Sequence, residues 1–244
     1  WQPFYKKLTR ARRFEHRWPQ MATYLLKGRP KPDGKAVYSD LDLFMLGFLL
    51  EELEQSSLPD IWKGIQTDFG LEGIQFNEHN RRHHAKNQYA PTEVCPWRKK
   101  ILVGEVHDEN TWGLGGIAPH AGLFSNIHDV SKWTLALRKA LRGEETPFGS
   151  SDVAREFTKR QVPSSVGDWG YLFMKPSKNG ASCGRYFSKQ SFGHTGFTGT
   201  SIWMDPVRDL SVVIMSNRVH PTRENKSFPQ HLRPRIHDLI CELL

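Results

Sequence analysis

In this chain of 244 residues, a histidine opens a run rich in threonine and glycine, SFGHTGFTGTS at residues 191–201. A tyrosine stands just ahead of an apolar segment, YSDLDLF at residues 38–44. Glycine within a strand lets a second backbone or a ligand approach closely. A strand N–H can also point at an oxygen that gains charge during a reaction. His194 and Thr195 are then polar groups facing the reacting centre. Tyr38 offers a hydroxyl, and a cationic neighbour lowers the pKa of a phenol and suits it to general-base work. Taken singly, His-Thr-Gly is a turn entering a strand, and Tyr38 is a half-buried aromatic.

Regular elements must hold these groups. Ser39 with Asp42 three residues on fits a helix-capping box, and Leu41, Phe44, Met45, Phe48, Leu49 and Leu53 follow at helical spacing. Pro59 stops the run, so a buried helix is predicted just after Tyr38. A second short helix is expected over residues 60–69 and long loops over 70–125, a length that usually marks function or wraps a site. Ser125 or Asn126 then caps a helix through Leu141, ended by Gly143, and a shorter one runs from Ser151 to about Gln161. After Val162 come short β-like runs, GYLFMKP, GRYFSKQSF, TSIWMDP and LSVVIMSN. The last two are joined by a tight hairpin, DPVRD at 205–209, and His231 to Leu244 reads as a closing helix. This order predicts an α+β fold, an antiparallel sheet flanked by helices. Three regions result: a basic arm or linker over 1–35, a helical and loop lobe over 36–162, and the sheet with its closing helix over 163–244.

Formal net charge is +8, and the segment 1–35 accounts for all of it, with ten basic residues against Glu15 and Asp33. That suits either an anionic partner or a solvated arm. A nucleic-acid patch more often interleaves aromatic and basic residues across a folded face, and this segment reads as an arm, so no nucleic-acid partner is expected. No run of about 18 apolar residues exists, so no membrane-spanning segment is expected. Cys95, Cys183 and Cys241 are an odd count without metal spacing, read as one bridge or three buried thiols. His107, Asp108, His120, His194 and His220 carry metal-ligand chemistry, but no H-x-x-x-H or H-E-x-x-H spacing joins them. Loop-bracing hydrogen bonds are expected of them, with no metal and no cofactor.

Three blocks in this order, YSD at 38–40, GEVHDENTWGLGGIAPHAGLFS at 104–125 and GHTGFTGTSIWMDP at 193–206, resemble the serine β-lactamase and penicillin-binding-protein family. The nearest branch is class C-like, with esterases and low-molecular-weight DD-peptidases. The resemblance covers nearly all of 36–244 and implies a β-lactamase/transpeptidase-like fold. It implies an acyl-enzyme mechanism on a lactam, peptide or ester carbonyl, with a small-molecule or peptidoglycan-type acyl substrate and an extracytoplasmic or periplasmic setting. Tyr38 would shuttle the proton and His194 would tune it. Asp40, Thr195 and Gly196 would contact substrate, and the Phe197 N–H would supply half of an oxyanion hole.

Three departures from the family pattern stand out. Asp40 replaces the usual asparagine of Tyr-x-Asn, so an acceptor-only carboxylate stands in place of an amide. His194 replaces the lysine of Lys-Thr-Gly, so the positive charge becomes dependent on pH. The nucleophile motif S-x-x-K is absent, since no serine from Ser39 to Ser227 has a lysine three positions later. The chain opens on Trp1 without a signal pattern, and the nucleophile is expected upstream of it. The alternative is a non-catalytic protein on the same fold that binds wall fragments or an anionic polymer.

Overall fold

The computed structural model describes residues 3–11, 13–27 and 34–244; Arg12, Arg29, Lys31 and Asp33 of the expected arm lie outside the described residues. The chain divides into two compact units, residues 1–33 with 38–125, and residues 34–37 with 126–244. The division falls between Ser125 and Asn126, just ahead of the helix that Asn126 caps.

The first unit holds α1 (Tyr5–Leu8), α2 (Arg17–Leu26), α3 (Asp40–Glu54), α4 (Leu58–Phe69), β1 (Gln75–Phe76), β2 (Pro91–Cys95), β3 (Lys100–Val103), α5 (Glu109–Gly113) and β4 (Leu123–Phe124). Leu8, Met21, Phe44, Leu114 and Ala118 form its core, with Trp18 and Phe48 packed against it. Much of the segment expected as a basic arm is thus helical and contributes Leu8 and Met21 to a core. Arg17, one of its basic residues, is buried and donates to the carbonyls of Ala11 at 3.0 Å and Gly113 at 2.8 Å. Counting charges missed this because Leu8, Met21 and their apolar neighbours are interleaved with basic residues.

The Ser39 hydroxyl accepts from the Leu41 N–H at 3.2 Å and caps α3, a contribution of about 1 kcal/mol. Phe44 and Gly47 are the buried residues of this helix, while Met45, Leu49 and Leu53 remain exposed. Gly47 has a packing reason. A Cβ there would stand 2.9 Å from Cγ of Pro119, so its absence lets the 114–122 loop lie against α3. Phe44 then meets the His120 ring at 4.6 Å between centroids.

The stretch 70–125, expected as loop, holds two small antiparallel sheets, β1 with β4 and β2 with β3. Two-residue strands and a register shift between Pro91 and Val94 leave too little alternation to read. Arg98, in the turn after β2, stacks on Trp97 and Trp112 with its guanidinium 4.7 and 5.1 Å from the ring centroids. It donates to Val106 O at 2.7 Å and His107 O at 3.1 Å, fixing the backbone just ahead of Asp108.

The second unit holds α6 (Ile127–Leu141), α7 (Ser151–Thr158), β5 (Phe192–Thr195), β6 (Ser201–Asp205), β7 (Leu210–Ile214) and α8 (Arg233–Leu243), the last entered through a π-helical turn at Phe228–Leu232. Asn126 caps α6 and Ser150 caps α7. Strand order is β5-β6-β7, antiparallel throughout, with Phe192 opposite Met204 and Trp203 opposite Val212. Side chains alternate across the sheet. Phe192 and Met204 pack with Leu137, Ala140 and Ala154 on one face, and Trp203 and Val212 with Cys183, Phe187 and Ile240 on the other. Of the four predicted β-like runs, TSIWMDP and LSVVIMSN supply β6 and β7; the third strand, β5, is FGHT, and GRYFSKQSF is mostly turn and bend ahead of it. In the DPVRD hairpin the Asp205 carboxylate accepts from the N–H groups of Val207 and Arg208, at 3.0 and 3.3 Å.

All three cysteines are free, Cys95 and Cys183 buried and Cys241 half-buried. Burial pushes the Cys183 thiol up to about 12. Among the described residues, no helix is long and apolar enough to cross a membrane.

Candidate active site

The cap of α3 sets Tyr38 and Asp40 on either side of Ser39, where the chain turns from extended backbone into helix. The Tyr38 phenol is hydrogen-bonded to the Asp40 carboxylate. Partial burial, then Asp40, then the nearby Asp108 and Asp42, drive the Tyr38 pKa well above the ordinary phenol value. The groups that set its proton affinity in this unit are carboxylates, and the shift is opposite to the one a cationic neighbour would give.

Asp108 is the N-cap of α5, and its Oδ1 accepts from the Thr111 N–H at 2.7 Å. The same oxygen lies 3.3 Å from Nε2 of His120, and Asp40 Oδ2 lies 4.0 Å from that nitrogen. Burial alone would raise the Asp108 pKa, but the bond to His120, its charge and the Thr111 N–H outweigh this and hold it below the usual carboxylate range. One oxygen or nitrogen from each of Asp40, Asp108 and His120 falls within 4.8 Å of the others, the spacing of a cation site. A metal-bound imidazole hands its other ring N–H to an acceptor. His120 Nδ1 is buried and has no hydrogen-bond partner among the described residues, which places the proton on Nε2, facing the two carboxylates. On these grounds the trio is held by the His120 Nε2–H hydrogen-bonded to Asp108, with the Asp40 carboxylate 4.0 Å away. His107 braces its loop in a similar way, with Nε2 3.2 Å from the buried Glu93 carboxylate.

In the second unit, His194, Thr195, Gly196 and Phe197 form the end of β5 and the turn into β6. Gly193 exchanges backbone bonds with Met174 on the outer edge of β5, at 2.7 and 3.0 Å. Antiparallel alternation makes Thr195 the next residue whose backbone faces that edge. A Cβ on Gly193 would collide with the Ile202 carbonyl and the Trp203 ring, and one on Gly196 with the Thr200 hydroxyl. The bare backbone is thus first a packing requirement. The turn closes with Gly199 N–H donating to Gly196 O at 3.0 Å, and Gly199 has φ +121°.

His194 Nδ1 lies 3.1 Å from Thr195 O, so this nitrogen donates and Nε2 carries the lone pair. Burial lowers the His194 pKa, with the Thr195 bond working weakly against it. The ring is therefore neutral at neutral pH, where an unshifted value of about 6.5 would leave it partly charged. The Thr195 hydroxyl donates to Met174 Sδ at 3.8 Å. Phe197 is exposed and carries the guanidiniums of Arg218 and Arg223 over its ring, at 4.6 and 5.9 Å. Arg218 Nε donates to Phe197 O at 2.9 Å, and the buried Arg233 donates to Gly199 O at 3.0 Å.

The structure thus groups Tyr38 with Asp40 in one unit and His194, Thr195, Gly196 and Phe197 in the other. Sequence reasoning missed Asp108 and His120 as neighbours of Asp40. The available signal was two separate helix starts, each with an aspartate. It also missed Lys175, whose Nζ is buried and donates to Thr158 O at 2.9 Å and Gln190 O at 2.7 Å. Burial, helped by Arg160, pushes this lysine down to about 8.

Comparison with known proteins bears on the whole arrangement. The beta-lactamase family profile matches residues 2–232. A protein of Salmonella agona named "Putative D-alanyl-D-alanine carboxypeptidase" is 32% identical over 204 residues, which are 78% of this chain and 47% of the relative. This chain therefore spans about half the length of that relative. A beta-lactamase from Mycobacterium bovis shares the fold with a TM-score of 0.61 at 17% identity, over 88% of this chain and 66% of the other. EstCE1, described as a hydrolase with promiscuous acyltransferase activity, does so with a TM-score of 0.58 at 16% identity, over 85% and 57%. With a profile match along nearly its whole length, the chain belongs to the serine β-lactamase and penicillin-binding-protein-like family.

Proposed function

We propose that this chain supplies the proton-handling and substrate-edge half of a serine acyl hydrolase of the β-lactamase, DD-peptidase or esterase type, working through an acyl-enzyme. The observation that carries the reading is the outer edge of β5. There the backbone alternation turns Thr195 outward beside His194, as an extended acyl substrate requires. The attacking serine belongs to an S-x-x-K motif, which residues 1–244 do not contain. The serine hydroxyl adds to the substrate carbonyl, the leaving group departs with a proton, and water later releases the acyl group. In this reading Tyr38 and His194 are the residues that handle that proton. Tyr38, held protonated, donates to the leaving group, and Asp40 accepts its hydrogen bond in the resting state. Thr195 and Gly196 hold the substrate, and the Phe197 N–H contributes to the oxyanion hole.

The test is acylation of the full-length protein that carries this chain. Fluorescent penicillin and a fluorophosphonate should each add one label, on a serine outside residues 1–244. The 244-residue chain alone should keep its mass. Stoichiometric labelling of a serine within 1–244 overturns the assignment of the nucleophile. A full-length protein that takes up neither reagent and hydrolyses no lactam, peptide or ester sinks the enzyme reading. The absence of S-x-x-K from 1–244 then favours a non-catalytic binder of wall fragments or an anionic polymer.

A further inference from the structure

Three loops meet beside Tyr38, and their contacts have a direction. Asp108 is fixed from behind by the Thr111 N–H at 2.7 Å. It receives His120 Nε2 at 3.3 Å. The same nitrogen faces Asp40 Oδ2 at 4.0 Å. His120 itself has little freedom, because its side chain is only 3% exposed and its ring lies against Phe44. Gly47 admits the neighbouring Pro119 against α3, so the ring is delivered by the loop that the missing Cβ allows in.

We infer that His120, anchored by Asp108, is a positioning residue that holds the Asp40 carboxylate against the Tyr38 hydroxyl. Two carboxylates this close repel each other unless a donor lies between them. The Nε2–H of His120 lies between them, hydrogen-bonded to Asp108 at 3.3 Å and facing Asp40 at 4.0 Å. Without it, Asp40, about a quarter exposed, turns away from Asp108 toward water and leaves the phenol. The groups that face Tyr38 are Asp40 and Asp42 of α3 and Asp108 at the start of α5. Those that face His120 are Asp40, Asp108 and the Thr111 hydroxyl at 3.4 Å. The inference deepens the role proposed for Tyr38, but its test needs no catalysis.

Tyrosinate absorbance is followed against pH in the 244-residue chain, and the difference between wild type and Tyr38→Phe isolates Tyr38. Tyr38 should ionise above the other tyrosines. His120→Ala should shift its midpoint down by about one pH unit, the size expected for losing one adjacent carboxylate. His120→Gln, which keeps an N–H donor, should retain most of the wild-type value. Asp40→Asn should lower the midpoint, and adding His120→Ala to it should cause no further shift. If His120→Ala does not fold, His120→Met fills the space without a donor and takes its place. A donor-free variant with unchanged circular dichroism and an unmoved midpoint overturns the inference. So does a His120→Gln shift as large as that of alanine, or simple additivity with Asp40→Asn. The acylation assay stands apart from these outcomes, so each reading fails on its own result.

Discussion

The surroundings of Tyr38 and those of the His194–Thr200 turn are opposite in charge. Carboxylates crowd the first, with Asp40, Asp42 and Asp108 all raising the proton affinity of the phenol. Guanidiniums crowd the second, with Arg218, Arg223 and Arg233 on or under the turn. Partial burial strengthens the phenol's hold on its proton, and burial weakens that of the His194 ring. Both effects follow one rule, since low dielectric disfavours whichever form is charged. Phenolate is thus the disfavoured form of Tyr38, and imidazolium the disfavoured form of His194, at neutral pH. The lesson concerns roles. In the proposed reading, Tyr38 keeps a proton and hands it over, and His194 accepts one.

The largest test of this contrast removes the phenol oxygen. Tyr38→Phe in the full-length enzyme should lower kcat/KM by about 100-fold or more, the scale of a lost general acid or base. Wild-type activity in that variant would break the proton-donor assignment. Next comes His194→Ala, which should cost less than Tyr38→Phe. Its informative readout is the pH profile. The folded-state pKa lies below 6.5, so the neutral ring is present through neutral pH and is lost only as pH falls through that lower value. The wild type should show an acid limb below 6.5, and His194→Ala should lack it. A limb at or above 6.5 would contradict the burial effect.

A smaller effect is expected from the backbone. Gly193→Ala puts a Cβ against Ile202 O and the Trp203 ring, and overpacking of this kind costs about 1–3 kcal/mol. Calorimetry should show a lower Tm, and an unchanged Tm would mean that β5 and β6 are less closely apposed than described. The smallest effect belongs to the α3 cap. Ser39→Ala should lose about 1 kcal/mol of stability in chemical unfolding. Ser39→Asp, which keeps an acceptor, should restore most of it.

How far the sequence alone leads differs between these places. The start of α3 was legible because a capping serine and a helical apolar repeat coincide within one short window. The β6–β7 hairpin was legible because DPVRD sits between two β-branched runs. Asp40 and His194 were legible as departures from a motif, and the half-buried state that lowers the histidine's pKa was not. Burial is a property of packed chain, here with residues 192–195 paired to 201–204. The direction of the Tyr38 shift was hidden for the same reason. Asp108 and His120 reach Asp40 from 68 and 80 positions away, and no local pattern announces that meeting. The helices of residues 5–26 escaped notice because their apolar residues are interleaved with the twelve charges of the first 35 positions.

Gly47 has a consequence for how this protein would respond to selection. Glycine inside a helix costs about 1 kcal/mol relative to alanine. A library sorted only for heat resistance would therefore be drawn toward alanine at position 47. That methyl group would press on Pro119 and shift the loop carrying His120. Survivors of such a screen would gain a better helix while losing the setting of their tyrosine. Heat tolerance and chemistry would part company at a residue with no side chain, well before any catalytic group had changed.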